Sequence, residues 1–289
     1  MNIIKAHNLA CPIDGLRLEI HGKQLDCENG HVFDIARQGY VNLLPVQHKR
    51  SRQPGDSKEM VSARARFLDS GAYEPIADKL AEIVFAQVSG GKETCLMDAG
   101  CGEGYYFNHV FNILRDKEGC SDLSFIGLDI SKDAIVGAAK RNKQITWLVG
   151  TNRQPPLESA SVDIITCVFG FQSFKGFGKI SRPGGRVVLV EPGPEHLKEL
   201  RKLIYTDVKK TDPPDLARAE EKGFSIRDRQ PLEYKTEEIN NRQINDLLLM
   251  TPHFYRANKA GRETAQKLEK LELTVDIVFT VLEKTAGID

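Results

Sequence analysis

The chain has no net charge: 40 lysine and arginine side chains are matched by 40 acidic ones. No global field draws it to nucleic acid or to a membrane, so any basic docking surface must be local. It has no apolar run of about 18 residues, the length a membrane-spanning helix needs. Its start, Met1-Asn-Ile-Ile-Lys-Ala-His7, lacks the apolar block of a secretory signal. Its six cysteines are scattered, which suits a reducing compartment. No internal repeat or low-complexity tract stands out. The expectation is a cytoplasmic protein without membrane contact. The 289 residues, 40% hydrophobic, suffice for one substantial core plus a smaller module.

Three regions separate by texture. Residues 1–36 are short alternating segments with cysteine, histidine and turn residues. Residues 37–74 are basic and contain Pro45, Pro54 and Gly55. From 75 to 289 strand-like and helix-like stretches alternate, which predicts an α/β domain. Helices are predicted over 76–88, from about Gly104, and over 134–141 behind an N-cap at Ser131. Two more are predicted over 195–205 and 237–250. Strands are predicted over 94–99, 124–129, 145–149, 161–168 and 186–191. A late strand over 273–283 has the pattern of an antiparallel one. Residues 210–214 read as a linker.

Chemistry concentrates where the first predicted strand ends, at Asp98-Ala-Gly-Cys-Gly-Glu-Gly104. Gly100, Gly102 and Gly104 let the backbone approach a ligand as strand turns into helix. Asp129 ends the next strand, 25 residues after the loop. A carboxylate there can accept hydrogen bonds from both hydroxyls of a ribose. The glycine spacing is G-x-G-x-G, because Tyr105 stands where a dinucleotide loop would carry its third glycine. That points to an adenosine cofactor without a pyrophosphate, S-adenosylmethionine, against the alternative of a tight turn in an unrelated α/β protein. Pro183-Gly-Gly185 before an apolar strand fits the same scheme.

A second constellation lies near the start. Cys11-Pro-Ile-Asp14 and Cys27-Glu-Asn-Gly-His31 form two knuckles that can converge on one tetrahedral zinc, with Cys11, Asp14, Cys27 and His31 as ligands. So small a segment has little core of its own, and a metal would explain its order. Asp14-Gly15 also reads as an ordinary turn. Cys95, Cys101, Cys120 and Cys167 read as small reduced core residues, and Trp147 as core.

From Arg37 to Arg66 seven basic side chains face two acidic ones, a local charge of +5. His48, Lys49, Arg50, Arg52, Arg64 and Arg66 could dock a phosphate backbone, or belong to a solvated loop. Tyr40, His48 and Phe67 could stack on bases or lie in the core.

These residues together resemble the bacterial 23S ribosomal RNA guanine-N1-methyltransferases of the RlmA type. The most specific stretch is Phe33–Ser57, followed by Ala63–Asp69, Tyr73, Asp98–Tyr106, Pro192–Leu197 and Leu249–Pro252. The resemblance implies a Rossmann-like class I methyltransferase domain carrying a zinc-ribbon-like module, acting as a homodimer on one guanine of a 23S rRNA hairpin. It implies cofactor contacts at Tyr73, Gly102, Glu103 and His196, and zinc at Cys11, Asp14, Cys27 and His31. Asp14 stands where the family has cysteine. Val168-Phe-Gly-Phe-Gln-Ser-Phe174 replaces a proline-containing aromatic segment that borders the target base. Phe169, Phe171 and Phe174 could sandwich an unstacked guanine or be core. No residue reads as the catalytic base. Two other functions remain open: a small-molecule methyltransferase, and a non-catalytic rRNA-binding factor that keeps the fold.

Overall fold

A computed structural model describes residues 4–48, 54–88, 93–120, 122–205, 216–251 and 259–285. Lys49, Arg50 and Arg52, Pro252 and the 210–214 linker lie outside them.

The described chain begins with a three-stranded antiparallel meander, β1 (Glu19–His21), β2 (Gln24–Asp26) and β3 (Val32–Asp34). Next come β4 (Tyr40–Asn42), α1 (Lys58–Leu68) and α2 (Glu74–Gln87). Alternation follows as predicted: β5 (Thr94–Ala99), α3 (Tyr105–Leu114), β6 (Leu123–Asp129), α4 (Lys132–Arg141), β7 (Thr146–Val149), β8 (Val162–Val168), α5 (Phe174–Ile180) and β9 (Ser181–Pro192). The last third holds α6 (Lys198–Ile204), α7 (Ala217–Glu220), β10 (Phe224–Lys235), β11 (Ile239–Asn240), α8 (Asn241–Met250), α9 (Lys259–Gln266), β12 (Lys270–Leu271) and β13 (Thr274–Lys284).

Eight strands form one sheet in the order β10-β13-β9-β8-β5-β6-β7-β4. β4 through β9 are parallel, whereas β13 runs antiparallel to both β9 and β10. Strand order reverses between β5 and β8, the topological switch point where α/β sheets open a crevice at their carboxyl ends. Side chains along β5 alternate between two cores: Leu96 joins the one covered by α1 to α4 and α8, while Cys95, Met97 and Ala99 join the other. The meander belongs to that second core. Leu9, Cys11, Leu25 and Cys27 are buried together with Leu148, Leu157 and Leu189, and the Ala10 amide donates to the Pro156 carbonyl at 3.0 Å. The small module therefore borrows its core from the sheet.

Several elements depart from the sequence reading. Residues 40–42, inside the basic segment, extend the central sheet by pairing parallel to β7. Residues 58–68 form a helix capped by Ser57, whose hydroxyl accepts from the Met60 amide, with Val61, Ala63, Phe67 and Leu68 buried. The helix expected from 195 starts at Lys198, because Leu197 takes a left-handed φ of 55°. The one expected from 237 starts at Asn241 behind a capping box formed by Asn240 and Gln243. β10 has no sequence signature. It is an edge strand, mostly exposed and charged, which also tolerates Pro231.

Candidate functional site

The carboxyl ends of β5, β6, β7 and β8 border a cavity of about 540 Å³, within the range of small-molecule sites. Gly100 and Gly102 line it with φ of 87° and 56°, in the left-handed region that favours glycine. Asp129 fixes the loop. One carboxylate oxygen accepts from the Gly102 amide at 2.9 Å, the other from the Ser131 amide at 2.7 Å. A carboxylate has about four acceptor sites, so two remain for a ligand.

Gly104 does something else. It begins α3 with φ 81°, and a Cβ there would lie 2.8 Å from the Trp147 ring. The third glycine thus makes room for the fully buried Trp147, and among the glycines of the loop only Gly100 and Gly102 face the cavity. Gly104→Ala combines a left-handed backbone with overpacking, together about 2–4 kcal/mol. A loss of that size should appear in urea unfolding; a loss below about 0.5 kcal/mol would contradict the Trp147 account.

The electrostatics are lopsided. Asp98, Glu103 and Asp129 all line the cavity, and burial raises the pKa of each. Asp98, which accepts from the Thr166 hydroxyl at 2.7 Å, is pushed up to about 7. Glu103 Oε1 and the Tyr106 hydroxyl are buried without a hydrogen-bond partner. The basic side chains on the wall are Arg64 and Arg153. Burial works against the Arg64 charge, but Asp56 and Glu103 outweigh it and raise its pKa. Its ion pair with Asp56 is 2.5 Å long. A pocket with this excess of carboxylates suits a ligand that brings positive charge and hydroxyl groups.

Tyr73 and His196 meet beside the cavity. Tyr73 is buried, with its hydroxyl 3.4 Å from His196 Nε2, and His196 stacks on Phe169 at 6.3 Å. Phe169 lines the cavity and holds a left-handed φ of 51°, a conformation costing about 1–2 kcal/mol outside glycine. The Phe169–Phe174 segment divides: Phe174 is core, whereas Phe169 and Phe171 are exposed. A three-ring sandwich is therefore excluded. Tyr40 and Phe67 are core, as are Cys95, Cys101, Cys120 and Cys167.

Two basic residues of the 37–66 segment, Arg64 and Arg66, are held by acidic partners. Arg64 is turned into the cavity wall, and Arg66 forks onto Asp246 of α8. Both sit on a helix and in ion pairs, which corrects the alternative reading of this stretch as a solvated loop. The reason is α1, whose cap and buried face fix the direction of both side chains. His48 ends a short 3-10 turn, Val46–His48. Missed by the sequence reading were Arg64 as a wall residue, Tyr106, and the Thr151–Arg153 turn after β7. Tyr106 carried a signal, since it opens the helix that follows the glycine loop.

The second constellation assembles in the meander. Cys11, Asp14, Cys27 and His31 bring ligand atoms within 4.8 Å of one another. His31 Nδ1 lies 2.9 Å from Asp14 Oδ2, 3.4 Å from Cys27 Sγ and 3.6 Å from Cys11 Sγ. A tetrahedral zinc with ordinary bond lengths has nitrogen–sulfur edges of about 3.6 Å, so the donor set fits that ion. Asp14 serves two ends: Oδ1 accepts from the Leu16 amide, closing the turn, and Oδ2 points into the cluster. The turn and the ligand reading hold together.

Two family models match the chain: "RlmA, N-terminal", a zinc ribbon, over residues 9–52, and "Methyltransferase domain" over residues 96–185. A Bacillus subtilis protein provisionally named 23S rRNA (guanine-N(1)-)-methyltransferase is 29% identical over 92% of this chain and 94% of its own. The 23S rRNA (guanine(748)-N(1))-methyltransferase of Streptomyces fradiae is 35% identical over 66% of each chain. A Micromonospora griseorubida protein, with the same provisional name as the Bacillus one, is 34% identical over 67% of this chain and 68% of its own.

Proposed function

As the chain belongs to the 23S rRNA (guanine-N1-)-methyltransferase family, we propose that it transfers a methyl group from S-adenosylmethionine to N1 of a guanine in a 23S rRNA hairpin. The observation that carries this is the carboxylate-rich cavity at the switch point, beside a zinc-ribbon module of the same family. The fold is that of class I methyltransferases with a mixed sheet.

Bound cofactor supplies an electrophilic methyl on a sulfonium, and the chain's part is to bind and orient. Asp129 receives the ribose hydroxyls with its free acceptor sites. Gly100 and Gly102 admit the cofactor close to the backbone. Glu103 and the Tyr106 hydroxyl gain partners they lack, and Asp98 meets positive charge. Tyr73 and His196 support this wall through Phe169. The methyl group that the bound cofactor would supply goes to guanine N1, leaving a neutral thioether, and the N1 proton would pass to water. Cys11, Asp14, Cys27 and His31 hold zinc. Lys49, Arg50 and Arg52, with His48, meet RNA phosphates. The division into a ribbon (1–36), a basic segment (37–74) and a catalytic domain (75–289), a homodimer, and a cytoplasmic site of action complete the reading. The homodimer is tested by sedimentation equilibrium, which should give twice the 32.3 kDa chain mass.

The deciding experiment is primer extension on 23S rRNA. Methylation at N1 blocks base pairing, so a stop at one guanine should appear in cells carrying the gene and vanish on deletion. The purified protein should restore it on unmodified rRNA. No stop, or a protein that methylates small molecules only, would reject the reading.

Affinity should also depend on pH. Asp98 titrates at about 7 in the ligand-free protein, and a cationic ligand favours its ionised form. Below that pH, binding must first remove a proton, so affinity for the cationic S-adenosylmethionine should fall about tenfold per unit. Asp98→Asn should flatten this slope in calorimetric titrations at pH 5.5–8; a slope unchanged by the substitution would discard Asp98 as its source.

A further inference from the structure

The inference concerns Arg64 and rests on the cofactor reading above. Arg64 stands in the basic stretch, yet it comes from α1 into the wall of the cofactor cavity, which it shares with Asp98, Glu103 and Asp129. Its side chain is only 22% exposed. Nη2 pairs with Asp56, and Nη1 lies 3.6 Å from where a Cβ of Gly102 would stand. Gly102 links this guanidinium to the ribose acceptor, because its amide donates to Asp129. Asp56 is held in turn. Its carbonyl accepts from the Ser131 hydroxyl at 2.8 Å, and the Ser131 amide donates to Asp129. The neighbouring Gly55 packs so closely that a Cβ there would lie 2.9 Å from the Ser131 Cβ. Asp56, Ser131, Asp129, Gly102 and Arg64 thus form one frame on one side of the cavity.

We infer that Arg64 takes the α-carboxylate at the amino-acid end of the cofactor, and that Asp56 positions Arg64 for it. That end of the cofactor carries a sulfonium, an ammonium and a carboxylate. The two cations suit a wall of carboxylates. The carboxylate does not, because Asp98, Glu103 and Asp129 would repel it unless a cation stood among them. A guanidinium offers five N–H donors in a planar fork, enough to hold Asp56 on one side and a second carboxylate on another. The other basic side chain on the wall, Arg153, is exposed and lies over the Phe171 ring, 4.6 Å from its centroid. A carboxylate meeting it there stays in water and gains little. Arg64 is fixed in the same frame as the ribose acceptor, so the two polar ends of the ligand meet one rigid wall. The site then selects a nucleoside that carries an amino acid over one that does not.

Two truncated ligands isolate the group. Decarboxylated S-adenosylhomocysteine keeps the ammonium and lacks only the carboxylate, and 5′-methylthioadenosine lacks the whole amino-acid end. In calorimetric titrations of the full chain, S-adenosylhomocysteine should bind about 30-fold more tightly than its decarboxylated form, as a charge-assisted pair predicts. Arg64→Met should weaken S-adenosylhomocysteine by about the same factor and neither truncated ligand by more than about threefold, so that the preference disappears. Arg64→Lys keeps the charge and the Asp56 partner but not the fork, and should retain a preference of about fivefold. Asp56→Asn should reduce the preference while 5′-methylthioadenosine binds as before, a split that a merely structural loss would not produce. The inference is overturned by a preference that survives Arg64→Met, or by an equal loss for all three ligands in both Arg64 variants, which would make the side chain a prop of the wall. Weaker binding of a 23S rRNA hairpin by Arg64→Met with the preference intact would overturn it too, and give the charge to RNA. A wild-type protein that binds neither S-adenosylmethionine nor S-adenosylhomocysteine would instead overturn the functional reading.

Discussion

Asp129→Asn should weaken S-adenosylmethionine binding about 100-fold, the largest single loss expected in the cofactor site. Two effects combine. Hydrogen bonds to a charged acceptor contribute about 1.5–3 kcal/mol each, and the ribose offers two hydroxyls to this one carboxylate. Losing even one such bond and weakening the other amounts to about 3 kcal/mol, or a hundredfold. The second effect is conformational. The carboxylate holds the Gly102 amide at one oxygen and the Ser131 amide at the other. Asparagine can accept at one oxygen only, and its NH2 group would face an N–H donor, so one of the two loops is released. Isothermal titration with S-adenosylhomocysteine, paired with urea unfolding, separates these. The released contact should lower stability by about 1–3 kcal/mol, whereas the affinity loss should exceed what that contact alone explains. Affinity within threefold of wild type would mean that the ribose is held elsewhere.

This loop also shows what the sequence could and could not convey. The strand, the glycines and the two carboxylates were legible, because each obeys a local rule: a buried apolar run, a positive φ, an acid at a strand end. The division of labour among the glycines was not. Gly104 is a packing residue because Trp147, 43 positions downstream, fills the space in front of it, and no local pattern announces a partner so distant. The same holds for the basic segment. Its charge count suggested an open arm, but Arg64 and Arg66 sit on α1, whose buried Val61, Ala63, Phe67 and Leu68 turn one arginine into the cavity wall and the other toward Asp246. The apolar spacing of α1 was readable and was masked by the charges between. β10 was illegible for a different reason: an edge strand carries the polar residues that keep edges from pairing, and so looks like a loop.

The metal centre supports the second large expected effect. Four substitutions order themselves by physical chemistry. Asp14→Asn keeps the acceptor for the Leu16 amide, and with it the turn, but removes the anionic oxygen aimed at the cluster. Zinc affinity should then fall about 100-fold, since a neutral amide is a poor ligand for this ion. Asp14→Ala loses the turn as well and should fall further. Asp14→Cys gives up the turn bond but supplies a third thiolate, the commoner donor set of structural sites, and should hold zinc at least as tightly as wild type. Cys27→Ala should lose the metal altogether. Competition against a chromogenic chelator gives the series directly. The structural consequence follows from where the ribbon sits. Its three strands have three residues each, too few to order themselves without a staple. Leu9, Leu25 and both cysteines are packed against Leu148 and Leu189 of the central sheet. Stripping the metal therefore exposes one face of the catalytic sheet as well as the ribbon, and the thermal midpoint should drop on the order of 10 °C. A metal-free protein with an unchanged midpoint would mean that the borrowed core alone holds the ribbon. Equal zinc affinity in Asp14→Asn and wild type would mean that three ligands suffice and that Asp14 serves the turn only.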